Sequence, residues 1–284
     1  MKKVLVTGAT GFLGNHIIAA LLMHDCQIVA TSSNIEKAQT KNWYSKVSCV
    51  EFDLHSNFDH LNLFEYFGKP DLLIHLAWEG LPNYLDQFHV ENNLPRHQRF
   101  LYNLISNGLN DLTVSGTCLE YGMMNGCLNE SLVVDPSNPY AIAKNSLRLY
   151  LESLFLDFDF CMKWVRLFYM YGEGQSPKSL ISLLDKAIQD KQESFNMSGG
   201  LQIRDFLPVN KVSAYFVAIA LQNKITGIIN CCSGVPVTVK DFVENYLSVR
   251  NQTIHLNLGF YEYATYEPME FWGDNTKLKS IIKE

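Results

Sequence analysis

No run of apolar residues approaches the roughly 20 that a helix needs to cross a bilayer, so no membrane-spanning segment is expected. The opening MKKVLVTG starts like a secretory leader, but its apolar run stops after three residues at Thr7-Gly8, so no leader is expected either. Basic clusters are missing too. Lys+Arg number 23 against 29 Asp+Glu, and the net charge of −6 argues against a nucleic-acid partner. The seven cysteines include no CxxC pair and no metal-ligand spacing, which excludes a zinc motif and a disulfide framework. An odd cysteine count suits a reducing compartment, and a cytoplasmic location is the expectation. Internal repeats and low-complexity stretches are also lacking.

What remains is an ordinary globular composition, 47% hydrophobic and 18% charged, in 284 residues, enough for one large domain or two intimate ones. Short β-rich runs recur at 4–6, 27–31, 47–52, 72–76, 112–115 and 162–168. Between them, Phe12, Leu13, Ile17, Leu21 and Leu22 share one helical face, and Phe100, Leu101, Leu104 and Ile105 share another. Strands alternating with helices predict an α/β fold, a Rossmann-type doubly wound parallel sheet. After Gly172 the loops lengthen and prolines punctuate them, leaving one clear helix near 209–222. The expected division is a dinucleotide-binding domain over 1–172, joined by that helix, and a smaller, mainly substrate-binding region over 173–284.

The stretch VLVTGATGFLG joins the first strand directly to an amphipathic helix. Gly8, Gly11 and Gly14 permit a tight turn, a close approach of backbone to pyrophosphate, and close packing of helix on strand. The phosphates would sit at the helix N-terminus, where free N–H groups and the helix dipole favour anions. An NAD site usually places a carboxylate after the second strand to hold the ribose hydroxyls. Here that strand ends Thr31-Ser32-Ser33-Asn34, with Lys37 a turn later, a neutral-to-cationic set that suits a 2′-phosphate. NADPH is therefore favoured and NADH stays open, because Glu36 could turn inward. Asp53, ending the third strand, could meet the adenine amine or serve only as a turn residue.

Tyr140-Ala-Ile-Ala-Lys144 follows Ser137-Asn138-Pro139, a helix start with a cap and a proline at its first position. The i, i+4 spacing puts phenol and ammonium on one face, where the ammonium would lower the tyrosine pKa. TGxxGxxG, a hydroxyl ending the fifth strand and YxxxK about twenty residues later together resemble the extended short-chain dehydrogenase/reductase superfamily, its nucleotide-sugar epimerase/dehydratase group. His75-Leu-Ala77, Arg166-Leu-Phe-Tyr-Met-Tyr-Gly172, Arg204-Asp-Phe206 and Trp272-Gly-Asp274 match its pattern too, so the resemblance covers nearly the whole chain. It implies that Thr117 holds the substrate oxygen, that Tyr140 is the acid/base, and that Lys144 orients the tyrosine and the nicotinamide ribose. The cofactor set it implies comprises Gly8, Thr10, Gly11, Phe12, Leu13, Gly14, Ser32, Ser33, Asn34, Lys37, Asp53, Leu54, Leu76, Ala77, Trp78, Asn93, Tyr140, Lys144 and Phe168. The implied substrate set is Trp78, Glu79, Thr117, Tyr140, Lys178 and Arg204, with Arg204 facing a nucleotide diphosphate.

In the 4,6-dehydratases of this group the catalytic hydroxyl is followed by Asp and Glu; SGTCLEYG has Cys118 and Leu119 there. That leaves a proton donor for a carbonyl oxygen and no evident second pair for C–H chemistry, which fits plain hydride transfer. LIHLAWEGLPNY and SGTCLEYG look most like bacterial dTDP-4-keto-6-deoxyhexose reductases, which make dTDP-6-deoxy sugars such as dTDP-D-fucose or dTDP-6-deoxy-L-talose for surface polysaccharide. One departure stands out: where 4-epimerases carry a second diphosphate arginine, this chain reads Ala264-Thr-Tyr-Glu-Pro268, and Lys178 is the candidate replacement. A 4-epimerase that keeps NAD bound is the alternative, and a non-catalytic dinucleotide-sensing protein a further one. Relatives dimerise through two helices, and Phe100, Leu104, Leu147, Leu151 and Phe155 would serve either a homodimer face or the core.

Overall fold

The computed structural model describes residues 1–282. The first half of the chain forms β1 (Lys2–Thr7), β2 (Cys26–Ser32), β3 (Ser48–Glu51), β4 (Leu72–His75) and β5 (Asp111–Thr117). Then come β6 (Gly126–Leu128), β7 (Cys161–Leu167), β8 (Tyr169–Tyr171), β9 (Ser194–Asn196), β10 (Ile203–Arg204) and β11 (Phe206–Pro208). Last are β12 (Gly227–Cys231), β13 (Val237–Thr238), β14 (His255–Asn257) and β15 (Phe271–Gly273). The longer helices are α1 (Phe12–Leu21), α2 (Ile35–Gln39), α3 (Leu63–Tyr66), α4 (Leu94–Ser106), α5 (Pro139–Ser153), α6 (Leu180–Gln189), α7 (Val209–Leu221) and α8 (Val239–Val249).

Seven strands make one parallel sheet in the order β12-β7-β5-β4-β1-β2-β3. This is the doubly wound Rossmann-type fold that the alternation of strands and helices predicts. A parallel sheet is covered on both faces, so β4 and β5 are buried along their whole length, and successive residues face opposite layers. In β1, Val4 and Val6 pack in a cluster with Ile17, Ile18 and Leu21 of α1 and Phe216 and Val217 of α7. Leu5, between them, packs with Phe100 and Leu104 of α4 and Leu147 and Leu151 of α5. Because β1 lies between β2 and β4, the chain reverses its winding there, and a crevice opens at the carboxyl ends of the strands.

Phe100, Leu104, Leu147 and Leu151 are all fully buried in this layer, so core packing accounts for them. Of the apolar set considered for a dimer face, only Phe155 is exposed, at 46%. The helix expected near 209–222 is α7, and β12 directly after it completes the sheet as an edge strand. Sequence reading missed β12 because GIINC is short and its first two residues are only partly buried. It also missed α6 and α8, which pack on one another around Leu184, Phe195, Phe242 and Val243. Short strand pairs, β8 with β11, β9 with β14, β10 with β13 and β6 with β15, frame this C-terminal layer above the crevice.

The burial pattern separates core from surface sharply. Phe100→Ala should cost about 3–5 kcal/mol, the usual loss for emptying a buried phenylalanine site, whereas Leu156→Ala, 90% exposed, should change stability by less than about 0.5 kcal/mol. Urea unfolding of the two variants checks this; equal losses would mean that α4 does not pack as described.

Candidate active site

The turn from β1 into α1 brings three backbones together. Gly8 has φ +68°, and a Cβ there would lie 2.7 Å from the Ala77 amide nitrogen at the end of β4. A Cβ on Gly14 would collide with the Gly8 carbonyl oxygen. Gly11, as the cap of α1, offers no side chain, and the first turn holds no acidic residue, so the helix N-terminus stays open to an anion. These features fit a dinucleotide pyrophosphate.

Two adjoining cavities open from this turn, sharing Gly8, Gly11, Lys37, Leu76 and Trp78 in their walls. The smaller, about 250 Å³, also carries Thr10, Ser32, Ser33, Asp53, Leu54, Ala77 and Asn93. The larger, about 650 Å³, carries Phe12, Leu13, Gly14, Thr117, Tyr140, Lys144 and Phe168. Ser32 is nearly buried, its hydroxyl donating to the Asn34 carbonyl at 2.8 Å and lying 3.2 Å from Thr10 Oγ1. Asn93, buried before α4, donates to the Glu79 carbonyl at 2.9 Å and so ties the loop after β4 to that helix.

Four expected residues sit elsewhere. Asn34 lines neither cavity; its side chain caps α2 by accepting from the Lys37 amide at 2.7 Å. Glu79 belongs to the smaller cavity, where it pairs with His55 at 2.6 Å. Lys178 is exposed and lies outside both cavity walls. Arg204 is buried and already engaged, with Glu267 at 3.1 Å and with the Ile203 and Met269 carbonyls. Glu36 is exposed and lines neither cavity.

Thr117 ends β5 and caps the short turn behind it. Its hydroxyl accepts from the Leu119 amide at 3.2 Å, while its own amide donates to Glu120 Oε1 at 2.8 Å, a reciprocal capping box. Glu120 is fully buried and also receives Trp164 Nε1 at 2.9 Å and Arg166 Nε at 2.8 Å. A buried carboxylate is tolerable only when paired and hydrogen-bonded, and this one is. The T-x-x-E spacing was the signal that could have revealed it. Cys118 and Leu119 are buried apolar lining, as their chemistry suggests, and burial pushes the Cys118 thiol far up.

Tyr140 and Lys144 lie one turn apart on α5, and both are buried. Contrary to expectation, the Tyr140 pKa is raised: burial dominates, Tyr84, Glu120 and Cys118 add to it, and only the Thr117 hydrogen bond opposes. The reason is where the ammonium goes. Lys144 Nζ donates to the Ser115 carbonyl at 2.9 Å and sits 4.0 Å over the Trp78 ring. Burial brings the Lys144 pKa down to about 7, with Glu120 opposing. Trp78 is fixed in turn by stacking on His97 at 4.5 Å and by donating to His89 Nδ1 at 3.1 Å. His97 Nδ1 meets His75 Nε2, and His75 Nδ1 meets Thr7 Oγ1, both at 2.8 Å. Burial lowers the His75 pKa to about 3 and the His97 pKa too, so this chain is neutral at pH 7.

The wall of the larger cavity also includes Tyr84, Gln175, Ser176 and Glu267, none of which sequence reading identified. Tyr84 packs against Tyr140 at 5.5 Å and Tyr266 at 6.0 Å. Those residues come from loops with no motif of their own, so only folding places them at the site.

A dinucleotide cleft beside a buried hydroxyl, phenol and amine is the arrangement of a nicotinamide-dependent oxidoreductase site. The sequence profile described as the NAD dependent epimerase/dehydratase family matches residues 4–232, and the chain belongs to that family. It is 27% identical over 278 residues to a dTDP-6-deoxy-L-talose 4-dehydrogenase (NAD(+)) of Aggregatibacter actinomycetemcomitans, spanning 95% of this chain and 99% of that one. A dTDP-D-glucose 4,6-dehydratase of Homo sapiens is 24% identical over 274 residues, covering 89% of this chain and 75% of its own. Among solved structures, a UDP-N-acetylglucosamine 4-epimerase from Methanobrevibacter ruminantium in complex with UDP-N-acetylmuramic acid superposes with a TM-score of 0.85 at 25% identity, over all of this chain and 92% of the other. No helix among the described residues is long and apolar enough to cross a membrane, and no group of His, Cys, Asp or Glu among them could hold a metal ion.

The lowered Lys144 pKa has a testable consequence. Between about pH 7 and 9 the unfolded chain binds this proton and the folded chain has lost it, so stability from this group rises with pH, by at most about 1.4 kcal/mol per unit. Above pH 9.0, the ordinary thiol value, burial keeps Cys118, Cys231 and Cys232 protonated in the folded chain, and these oppose the rise. Lys144→Met should flatten the profile of urea midpoints between pH 7 and 9 relative to the native protein. An unchanged slope would mean that the amine is not held as described.

Proposed function

We propose that this protein is an NAD(P)H-dependent reductase of a nucleotide-linked 4-keto-6-deoxyhexose, giving a dTDP-6-deoxy sugar for surface polysaccharide. The observation that carries the reading is the joint placement of Thr117, Tyr140 and Lys144 on one cavity wall, with Cys118 and Leu119 where a dehydratase would hold its acidic pair. The 95% coverage by a relative named as a dTDP-6-deoxy-L-talose 4-dehydrogenase supports redox chemistry at the same carbon, its name stating the reverse direction and NAD(+).

When bound, the nicotinamide supplies the hydride. The chain itself orients the ketone and delivers the proton. Thr117 donates to the carbonyl oxygen, and Tyr140, whose raised pKa keeps it protonated, transfers its proton to that oxygen as charge develops. Lys144, one helical turn away and near its midpoint at neutral pH, supplies positive charge on the same helix face as the phenolate that forms. Trp78 and Phe168 keep water from the reacting centre. The phosphates would take the open N-terminus of α1.

A 4-epimerase would use the same three residues with NAD held permanently, and the likeness to a solved 4-epimerase favours keeping that second reading. Dinucleotide copurifying with the native protein would mark the epimerase; its absence, with turnover of added NADPH, would mark the reductase. The cytoplasm is the proposed location.

Incubation with NADPH and dTDP-4-keto-6-deoxyglucose, with the product identified by NMR, tests the reaction directly. Tyr140→Phe should lower kcat by roughly 10²–10⁴-fold with little change in cofactor affinity. Full turnover in that variant would remove Tyr140 from the mechanism.

For the cofactor, the hydroxyls of Ser32 and Ser33 and the Lys37 ammonium in the smaller cavity favour a 2′-phosphate, and no carboxylate ends β2. The expected preference for NADPH is roughly tenfold in kcat/KM, about 1.4 kcal/mol. Ser32→Asp should reverse it by repelling the phosphate and accepting the ribose hydroxyls. If the native protein prefers NADH and the substitution changes nothing, Ser32 does not face the ribose.

A further inference from the structure

The larger cavity is lined by one carboxylate, Glu267, and by two cations, Lys37 and Lys144, among the described residues. Lys37 faces the cofactor side, since it also borders the smaller cavity, and Lys144 is turned to the Ser115 carbonyl and Trp78. Glu267 is therefore the remaining charge on the walls of this cavity among the described residues. It arrives from the loop before β15 and is held by Arg204, which lines neither cavity. The guanidinium does not cancel the carboxylate on the cavity side. At Cys118, Tyr169 and Tyr266 the Glu267 charge raises the acid's pKa by more than Arg204 lowers it. Tyr84, which touches Tyr140, is likewise raised by burial and then by Glu267.

Taking as its basis the reading that this cavity receives a nucleotide sugar, we infer that Glu267 is a specificity residue: it accepts hydroxyl groups of a neutral sugar beside Thr117 and Tyr140 and excludes sugars that carry a carboxylate. The surrounding groups complete such a subsite. The Glu267 carboxylate is mostly buried, its side chain 14% exposed with Oε2 held by Arg204 at 3.1 Å, and its remaining lone pairs are matched by hydroxyl donors. A second carboxylate placed there would meet a like charge with no uncommitted cation nearby, a repulsive element of the kind by which sites reject near-isosteres. The Tyr84, Tyr169 and Tyr266 rings around it offer apolar faces that suit a deoxygenated sugar carbon, and their neutral phenols bring no positive charge to offset a second anion. The departure at Ala264–Pro268 thus has a positive role: a carboxylate occupies the stretch in which the 4-epimerase pattern carries an arginine.

The test is calorimetric binding to the native protein of dTDP-glucose and dTDP-glucuronic acid, which differ only at C6, with the UDP pair run alongside. The neutral sugar should bind at least about tenfold more tightly in the matched pair. Glu267→Gln keeps the shape and a hydrogen bond to Arg204, and should bring the two sugars to within about threefold. Equal affinities in the native protein, or an undiminished preference in Glu267→Gln, would overturn the inference while leaving the nucleotide-sugar reading standing. Failure of all four sugars to bind the native protein would overturn that reading and the inference with it. Because the native comparison uses no substitution, the result does not depend on how the variant folds.

Discussion

The site hangs on a single buried charge. Glu120 lies just behind the end of β5 with no exposure to solvent, and its carboxylate gathers the Thr117 amide, the Trp164 indole and the Arg166 guanidinium. A carboxylate taken out of water is costly, and removing Arg166, its countercharge, would leave it uncompensated. The three partners come from β5 and from β7, its neighbour in the sheet. Their joint satisfaction holds the end of β5 in one position, and the Thr117 hydroxyl is fixed with it.

From that anchor the reacting wall is built by stacking. Lys144 lies over Trp78, Trp78 over His97, and His97 is hydrogen-bonded through His75 to Thr7 at the end of β1. Neutral histidines are an economical way to carry a polar chain through a core, because each ring nitrogen can donate or accept without a charge to bury. The chain links Thr7, next to the glycine turn, to the Lys144 amine on α5. It also explains why Lys144 lowers the pKa of both histidines while its own is lowered by burial.

The C-terminal layer supplies a charged pair whose carboxylate lines the larger cavity. Its strand pairs are short, and α6 and α8 share a cluster of their own, while Phe271 packs with Cys118, Tyr140 and Phe168 at the site. It projects Glu267 and Tyr266 toward Tyr84 and the end of β5, and Arg204 is committed to supporting Glu267. A salt bridge with its cation buried and its anion at a cavity wall presents the anion to whatever enters.

Much of this was legible in the chain. Apolar runs of four to seven residues alternating with helical periodicity specified the parallel sheet, because both patterns report burial that is local in sequence. The glycine turn, Thr117 and the Tyr140–Lys144 pair were readable for the same reason: each motif is contiguous, and its geometry follows from one strand end or one helical turn. The edge strand β12 was not, since five residues with a half-covered surface resemble a loop. What tertiary structure alone decided was electrostatic. The sequence places a lysine one turn from the phenol, yet the ammonium turns to the Ser115 carbonyl and an indole face, and burial raises the tyrosine instead. Likewise Arg204 and Glu267 stand 63 residues apart, and their pairing turned an expected anion-binding arginine into the support of a carboxylate. Charges act through space and solvent access, which a chain acquires only when distant segments meet.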